Sequence, residues 1–335
     1  MAEIKKYFLE SFLPSIQSTT TNVDISDLYD ESAKWTPVPL TYSNKFESVM
    51  NLSAVIIKNL CKLFRATKKV PRLAFDVIAH IVNDSTDQPD ILLRQILLCH
   101  VTKRQADAGY FVYIVTSIED LKLKRVPLQD ELEWVALAHK VIKHAQINHK
   151  INECLTDLGQ SITEVTEFEK KDQIKITLVE SGLKILRGFV GLEELFIHTD
   201  HFRQKINDFK GSLEQLQLVS KMDIISIAIH EYAHLKIRQS NGDFNMHSPV
   251  VGHLHGLPVI PHEFGTFTER KIFGKQIDWF ASYRAMDYEF VERFVHSVEN
   301  GGPLPPSYIE SSGVVPRLGD PYVDGADIEV NNYIC

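Results

Sequence analysis

The sequence predicts a mainly α-helical fold with a small β component. Apolar residues recur at three- and four-residue intervals over long stretches, as between Asn44 and Ala66. One short segment, Ile174 to Val179, shows the weak two-residue alternation typical of a strand. The 335-residue chain is 44% hydrophobic and 24% charged, the composition of a soluble globular protein.

Residues 1–125 are predicted to form an N-terminal helical region. A mixed segment rich in Ser, Thr and Asn comes first, and Pro71 and a polar run separate the later helical patterns. The predicted helices lie at about 44–66, 72–83, 88–105 and 107–119. Lys122 to Pro127 is interpreted as a connector to the rest of the chain.

Residues 126–300 are predicted to form a second region, followed by an irregular tail, 301–335, that is rich in Pro, Gly and Asp. A loop rich in Gly, Pro and His is expected from Ser248 to Gly265. Besides a helix over 220–241, helical patterns cover 129–161, 185–196, 266–273 and 277–298.

Charge and cysteine usage exclude several classes of protein. The net charge of -8 argues against a general nucleic-acid or membrane-surface binder. The four cysteines are widely spaced and include no C-x-x-C pair, so a cysteine zinc site or a dense disulfide framework is not expected. The sequence shows neither a classical signal peptide nor a transmembrane-length apolar run, so we expect a cytoplasmic protein.

The most specific motif is His230-Glu231-Tyr232-Ala233-His234, an H-E-x-x-H box. Residues four apart lie on one face of a helix, so both imidazoles can bind one zinc ion. The glutamate beside the first histidine is then placed to act as general base on a zinc-activated water. This chemistry is metal-assisted hydrolysis, most often of a peptide bond.

The predicted helix around the box is framed by start and stop signals. Ser220 and Asp223 resemble a capping box, and Asn241-Gly242 resembles a C-terminal stop. Isoleucines and an alanine fill the turn before the box, so the helix is predicted to be buried. Histidines in such a setting need a metal or other partners. A pair of hydrogen-bonded core histidines without metal is the structural alternative.

The third ligand must come from elsewhere in the chain. Metzincins carry Gly and His where this sequence has Ile237 and Ser240, so that class is excluded. Thermolysin-like enzymes and aminopeptidases carry a glutamate 19 or 20 residues beyond the box, where this sequence has His253-Leu254.

The segment from Gly265 to Gly274, G-T-F-T-E-R-K-I-F-G, resembles the third-ligand segments of two zincin families. These are the aspzincins, with Glu269 in the Asp position, and the clostridial neurotoxin light chains. The resemblance implies Glu269 as the third metal ligand. A helix cap is the alternative role for Glu269, because Thr266-x-x-Glu269 is itself a capping box. Glu263 is the second candidate, followed by His253 and then His255 and His262.

The resemblance implies a zincin-like, gluzincin-type metallopeptidase core with one zinc per chain and a peptide or protein substrate. Zincins commonly add a residue that stabilises the oxyanion, and the candidates here are Tyr283, Arg284, Tyr288 and His296. The competing hypothesis is a non-catalytic helical interaction protein that retains a zincin fold. A third is a regulatory protease whose own tail covers the cleft.

Overall fold

The computed structural model describes residues 96, 124–126, 132–159, 174–180, 187–191, 193–241, 248–251 and 262–306. The chain divides into two compact units, and the second comprises Arg125–Gly242 and Ser248–Cys335. The predicted N-terminal helices lie outside the described residues, apart from Ile96, which is helical and buried. Residues 307–335 of the tail also lie outside them.

The described part is mostly helical, which confirms the mainly α prediction for these residues. Its strands are β1 (Lys124–Arg125), β2 (Lys175–Glu180), β3 (Gly188–Val190), β4 (Glu194–His198), β5 (Val250–Val251) and β6 (His262–Glu263). Its helices are α1 (Leu132–Lys143), α2 (Ala145–Asp157), α3 (Thr199–Asp208), α4 (Leu213–Asn241), α5 (Phe264–Phe273) and α6 (Tyr288–Asn300). None of these helices is long and apolar enough to cross a membrane.

The larger sheet has the strand order β1-β2-β4-β3. β2 runs parallel to β4, whereas β3 pairs antiparallel with β4 and forms an edge of the sheet. The predicted strand at Ile174 to Val179 is confirmed as β2. The predicted helix over 185–196 is wrong, because this segment forms β3 and the start of β4. Both strands are buried along their whole length, so their sequences lack the polar alternation that marks a strand.

Helix α4 is the centre of the unit and packs against β3, β4, α1, α5 and α6. It begins at Leu213, seven residues before the predicted start. Ser212 and Gln215 provide the capping box, each donating its backbone N–H to the other's side-chain oxygen, at 3.0 and 3.2 Å. Ser220 and Asp223, the predicted cap, lie inside the helix and are buried. The apolar turn before the histidines is fully enclosed, as predicted.

Two other predicted helices are shorter than their sequence patterns. The pattern over 129–161 is interrupted at His144, whose extended backbone begins α2. The pattern over 277–298 contains turns before α6, which begins where the Asp287 carboxylate accepts a hydrogen bond from the Phe290 amide at 3.1 Å. Buried apolar residues flank each break, Ile142 and Ile147 at the first and Phe280 and Phe290 at the second, so periodicity alone does not reveal it.

The described start of the tail returns to the α1–α2 junction. Gly301 ends α6 in the left-handed conformation, with φ of 71°. The Gly302 carbonyl then lies 2.9 Å from His144 Nε2, and the Leu304 amide donates to Gln146 at 2.6 Å. Residues 301–306 form no helix or strand, in agreement with the prediction for this part of the tail.

Candidate metal centre

His230 and His234 lie one turn apart on α4, with their imidazole rings in an edge-to-face arrangement. Their Nε2 atoms are 3.3 Å apart, and the ring centroids are 4.9 Å apart. The His234 side chain is 7% exposed and that of His230 is 19% exposed. The predicted placement of both histidines on one face of a buried helix is therefore confirmed.

Glu263 brings a carboxylate to both imidazoles. Its Oε1 atom lies 3.1 Å from His230 Nε2, and its Oε2 atom lies 2.9 Å from His234 Nε2. Two imidazole nitrogens and one carboxylate thus converge on one point, and their ligand atoms all lie within 4.8 Å of one another. Among the described residues, this group could hold a metal ion.

The start of α5 fixes the Glu263 carboxylate. Glu263 is the N-cap residue and accepts hydrogen bonds from the amides of Gly265, at 3.0 Å, and Thr266, at 2.7 Å. The hydroxyls of Thr266 and Ser248 also donate to it, at 2.9 and 3.1 Å. Burial alone would raise the pKa of Glu263, but His230, His234 and the Thr266 hydrogen bonds hold it well below its usual range.

The spacing of the two imidazole nitrogens fits a tetrahedral site. In such a site, zinc-to-nitrogen bonds of about 2.0 Å place two ligand atoms about 3.3 Å apart. The two Nε2 atoms are 3.3 Å apart, while Glu263 approaches them with different oxygens, Oε1 at 3.1 Å from His230 and Oε2 at 2.9 Å from His234. Two histidines and one glutamate are also the protein ligands of a common class of catalytic zinc site, which leaves a fourth position open.

Glu269 lies behind His230. Its Oε1 atom accepts a hydrogen bond from His230 Nδ1 at 2.8 Å, on the side of the ring away from His234. Since a metal bound at the two Nε2 atoms would be on the other side of the ring, the geometry favours Glu263 over Glu269 as third ligand. Glu269 instead orients the imidazole, and its side chain is fully buried.

The charge on His230 follows from these carboxylates. Burial by itself would lower the pKa of His230, but Glu263, Glu269 and Glu231 together raise it to about 9. An electron-rich pocket of this kind favours a cation between the side chains, whether a proton or a metal ion.

Glu231, the predicted general base, follows His230 on α4 and is 5% exposed. Its Oε2 atom is buried and has no hydrogen-bond partner in the described part of the protein. A Cβ placed on Gly188, the first residue of β3, would lie only 3.0 Å from Glu231 Cγ. The absence of a side chain at Gly188 therefore lets the edge strand lie directly against the glutamate.

A second glycine makes room for His230. A Cβ on Gly265 would lie 2.7 Å from three atoms of the imidazole ring, which is closer than real side chains approach. Gly265 thus allows α5 to bring Glu263 and Glu269 to the two nitrogen atoms of the same ring.

The remaining predicted site residues are not brought to this centre by any described contact. Tyr288 donates its hydroxyl to the backbone carbonyl of Tyr283, whose ring packs against Phe209 at 4.6 Å. Arg284 lies over the Tyr283 ring, and His296 is an exposed neighbour of Asn300 on α6. The candidates His253 and His255 lie outside the described residues, as does the side chain of His262.

No sequence pattern indicated Arg187, Gly188 or Ser248 as neighbours of the site. The first two fall inside the segment wrongly predicted as helical. The glycines at 188 and 191 within a short apolar run were the available signal for strands and turns there.

Comparison with protein-family models, with curated proteins and with solved structures finds no match to this chain.

Proposed function

We propose that this protein is a zinc-dependent metallopeptidase with His230, His234 and Glu263 as its metal ligands. The observation that supports the proposal most directly is the approach of the Glu263 carboxylate to both Nε2 atoms, which lie 3.3 Å apart. Glu231, which follows His230 along α4, has a buried carboxylate oxygen with no hydrogen-bond partner in the part of the chain that the structure describes.

The donor set favours a transition metal such as zinc over magnesium or calcium. Imidazole nitrogens suit zinc, copper, iron and nickel, whereas magnesium and calcium prefer oxygen ligands throughout. When bound, zinc would supply a Lewis acid that polarises a carbonyl group and makes water more acidic.

The chain's own residues supply the proton transfers. Glu231 is the base that takes a proton from the attacking water and passes it to the leaving amine. Its carboxylate is one of the charges that raise the pKa of His230, whereas burial lowers the pKa of His234 despite the opposing effect of Glu263 and Glu231. Glu263 and Glu269 cannot take this role as readily, because each already accepts hydrogen bonds from other groups.

The alternative, a metal-free structural cluster in a non-catalytic interaction protein, also has a specific observation in its favour. Each Glu263 oxygen already has three donors within 3.1 Å when the histidines are included. A carboxylate oxygen accepts about two hydrogen bonds. The cluster is therefore satisfied without metal, and a metal ion would have to replace the two imidazole contacts to Glu263.

The two functions are separated by metal content and by Glu231→Gln. Purified protein, prepared without chelator, should contain about one zinc per chain. Glu231→Gln should keep that zinc and lose hydrolysis of a peptide library by at least a hundredfold, about the contribution of a general base.

Glu292→Gln, on the exposed face of α6, is a control for removing a carboxylate and should retain full activity. Protein without zinc would support the structural cluster. Zinc-loaded Glu231→Gln with undiminished hydrolysis would overturn the assignment of the base.

A further inference from the structure

Arg187 places a cation between two fully buried carboxylates next to the metal centre. Its Nη1 atom lies 3.7 Å from Glu269 Oε1, and its Nη2 atom lies 3.8 Å from Asp223 Oδ1. The Arg187 side chain is 18% exposed, and both carboxylates are 0% exposed. Arg187 Nε and Nη2 are buried and have no hydrogen-bond partner among the described residues, so its described polar interactions are the two ion pairs.

The same Glu269 oxygen serves both Arg187 and His230. Oε1 accepts the hydrogen bond from His230 Nδ1 at 2.8 Å while it faces the guanidinium at 3.7 Å. A displacement of this oxygen would therefore change the hydrogen bond that orients the His230 imidazole.

Arg187 is itself anchored from two sides. Its backbone carbonyl accepts a hydrogen bond from the His198 amide at 3.0 Å, which connects it to the end of β4. Asp223, which its guanidinium faces, is positioned by His201 Nε2 at 3.1 Å. Asp223 lies seven residues before His230 on α4, so Arg187 connects β4, α4 and α5 at this point.

Charge balance explains why a cation is needed here. Glu231, Glu263 and Glu269 all act on His230, and Asp223 adds a fourth buried carboxylate nearby. Buried carboxylates repel one another strongly and are stable as anions only when cations or donors compensate them. Without the Arg187 cation, repulsion from the neighbouring carboxylates would favour rotation of the Glu269 side chain away from its present position.

We propose that Arg187 is a positioning residue for the metal centre. It holds Glu269 against Nδ1 of His230, so that His230 Nε2 points toward Glu263 and His234. The inference rests on the proposed zinc binding and extends it to a residue that contacts no metal ligand itself. Residues that support a metal-ligating histidine in this way typically change metal affinity by about 10- to 100-fold when they are replaced.

The test measures zinc affinity by competition with a chelator, and the absorption spectrum of the cobalt(II)-substituted protein, which reports ligand geometry. Arg187→Met should weaken zinc binding by about tenfold or more and change the cobalt spectrum. Arg187→Lys should restore part of the affinity, because an ammonium keeps the charge but not the two-branched reach of a guanidinium. Arg203→Met is the matched control, since Arg203, on α3, also contacts two carboxylates, Glu180 at the end of β2 and Asp200 on α3.

A double variant separates positioning from general stabilisation. If Arg187 acts through Glu269, Arg187→Met combined with Glu269→Gln should bind zinc no more weakly than Glu269→Gln alone. Additive losses, or an unchanged affinity and cobalt spectrum in Arg187→Met, would overturn the inference. If Arg187→Met does not fold, Arg187→Lys decides, and unchanged affinity and spectrum in that variant would also overturn it.

The failure of this inference is distinguishable from that of the proposed function. Wild-type protein that binds no zinc contradicts both the zinc site and the role of Arg187. Wild-type protein that binds zinc and hydrolyses peptides, with Arg187 variants indistinguishable from it, contradicts the role of Arg187 alone.

Discussion

Glu269 accepts a hydrogen bond from His230 across 2.8 Å, on the nitrogen that faces away from His234. Nε2 of the same ring faces Glu263, and a metal bound there would require Nε2 to lose its proton and direct its lone pair at the ion. Glu263, the N-cap residue of α5, and Glu269, within α5, therefore contact different nitrogen atoms of the same ring.

Replacement of these two glutamates should have effects of different size. Glu263→Gln removes a ligand and should abolish stoichiometric zinc binding, whereas Glu269→Gln should weaken the affinity by about 10- to 100-fold. Zinc content after dialysis, followed by chelator competition, measures both. Greater zinc loss in Glu269→Gln than in Glu263→Gln would reinstate Glu269 as the third ligand.

Gly265→Ala should disturb the centre without changing any polar group. The added methyl would meet the His230 ring at 2.7 Å, so the ring or the start of α5 must shift. We expect zinc affinity to fall by at least tenfold, because the ligand geometry must be kept within a few tenths of an ångström. Gly302→Ala is the control, since its nearest neighbour would be 3.8 Å away. Equal zinc affinity in the two variants would contradict the close packing inferred at Gly265.

Zinc removal should lower the thermal stability of the wild-type protein. A ligand at a hundred times its dissociation constant stabilises the folded state by about 2.7 kcal/mol. Thermal unfolding with zinc and with a chelator measures the difference. His234→Ala should show no comparable zinc-dependent shift, and a shift as large as that of the wild type would place the binding site elsewhere.

Acid should destabilise the protein through Asp223. Burial would raise the pKa of this carboxyl, but His201 and Arg187 lower it from 3.8 to about 2. Because the pKa is lower in the folded state, the stabilisation is complete above about pH 4 and is lost as the pH falls through about 2. The shift corresponds to about 2 kcal/mol.

Unfolding free energies measured between pH 2 and 5 for wild type and Asp223→Asn check this prediction. The wild type should lose more stability than the variant over this range. Parallel pH profiles would show that Asp223 is not compensated by its neighbours in the way the structure indicates.

The histidine pair was predictable because its geometry depends on one helix alone. Residues four apart share a face in any α-helix, so His230 and His234 needed no tertiary information. The choice between Glu263 and Glu269 did need it, since both lie on the first turns of α5 and the approach of α5 to α4 decides which faces Nε2. The Thr266-x-x-Glu269 pattern also pointed to the wrong cap, because Glu263 itself caps the helix.

The predicted helix at 185–196 failed for a different reason. β4 is buried on both faces, so its apolar residues do not alternate with polar ones. Periodicity cannot distinguish such a strand from a buried helix. Because of this error, the position of Arg187 beside the metal centre could not be predicted.

Glu263 joins the chemistry of the centre to the backbone of α5. The amide protons of Gly265 and Thr266 donate to the same carboxylate that contacts both histidines. Any change in the contacts between the Glu263 carboxylate and the histidines, such as metal binding, must alter the electron density at these two amides. Their nuclear magnetic resonance signals are therefore natural reporters of site occupancy, readable without a substrate or an attached label.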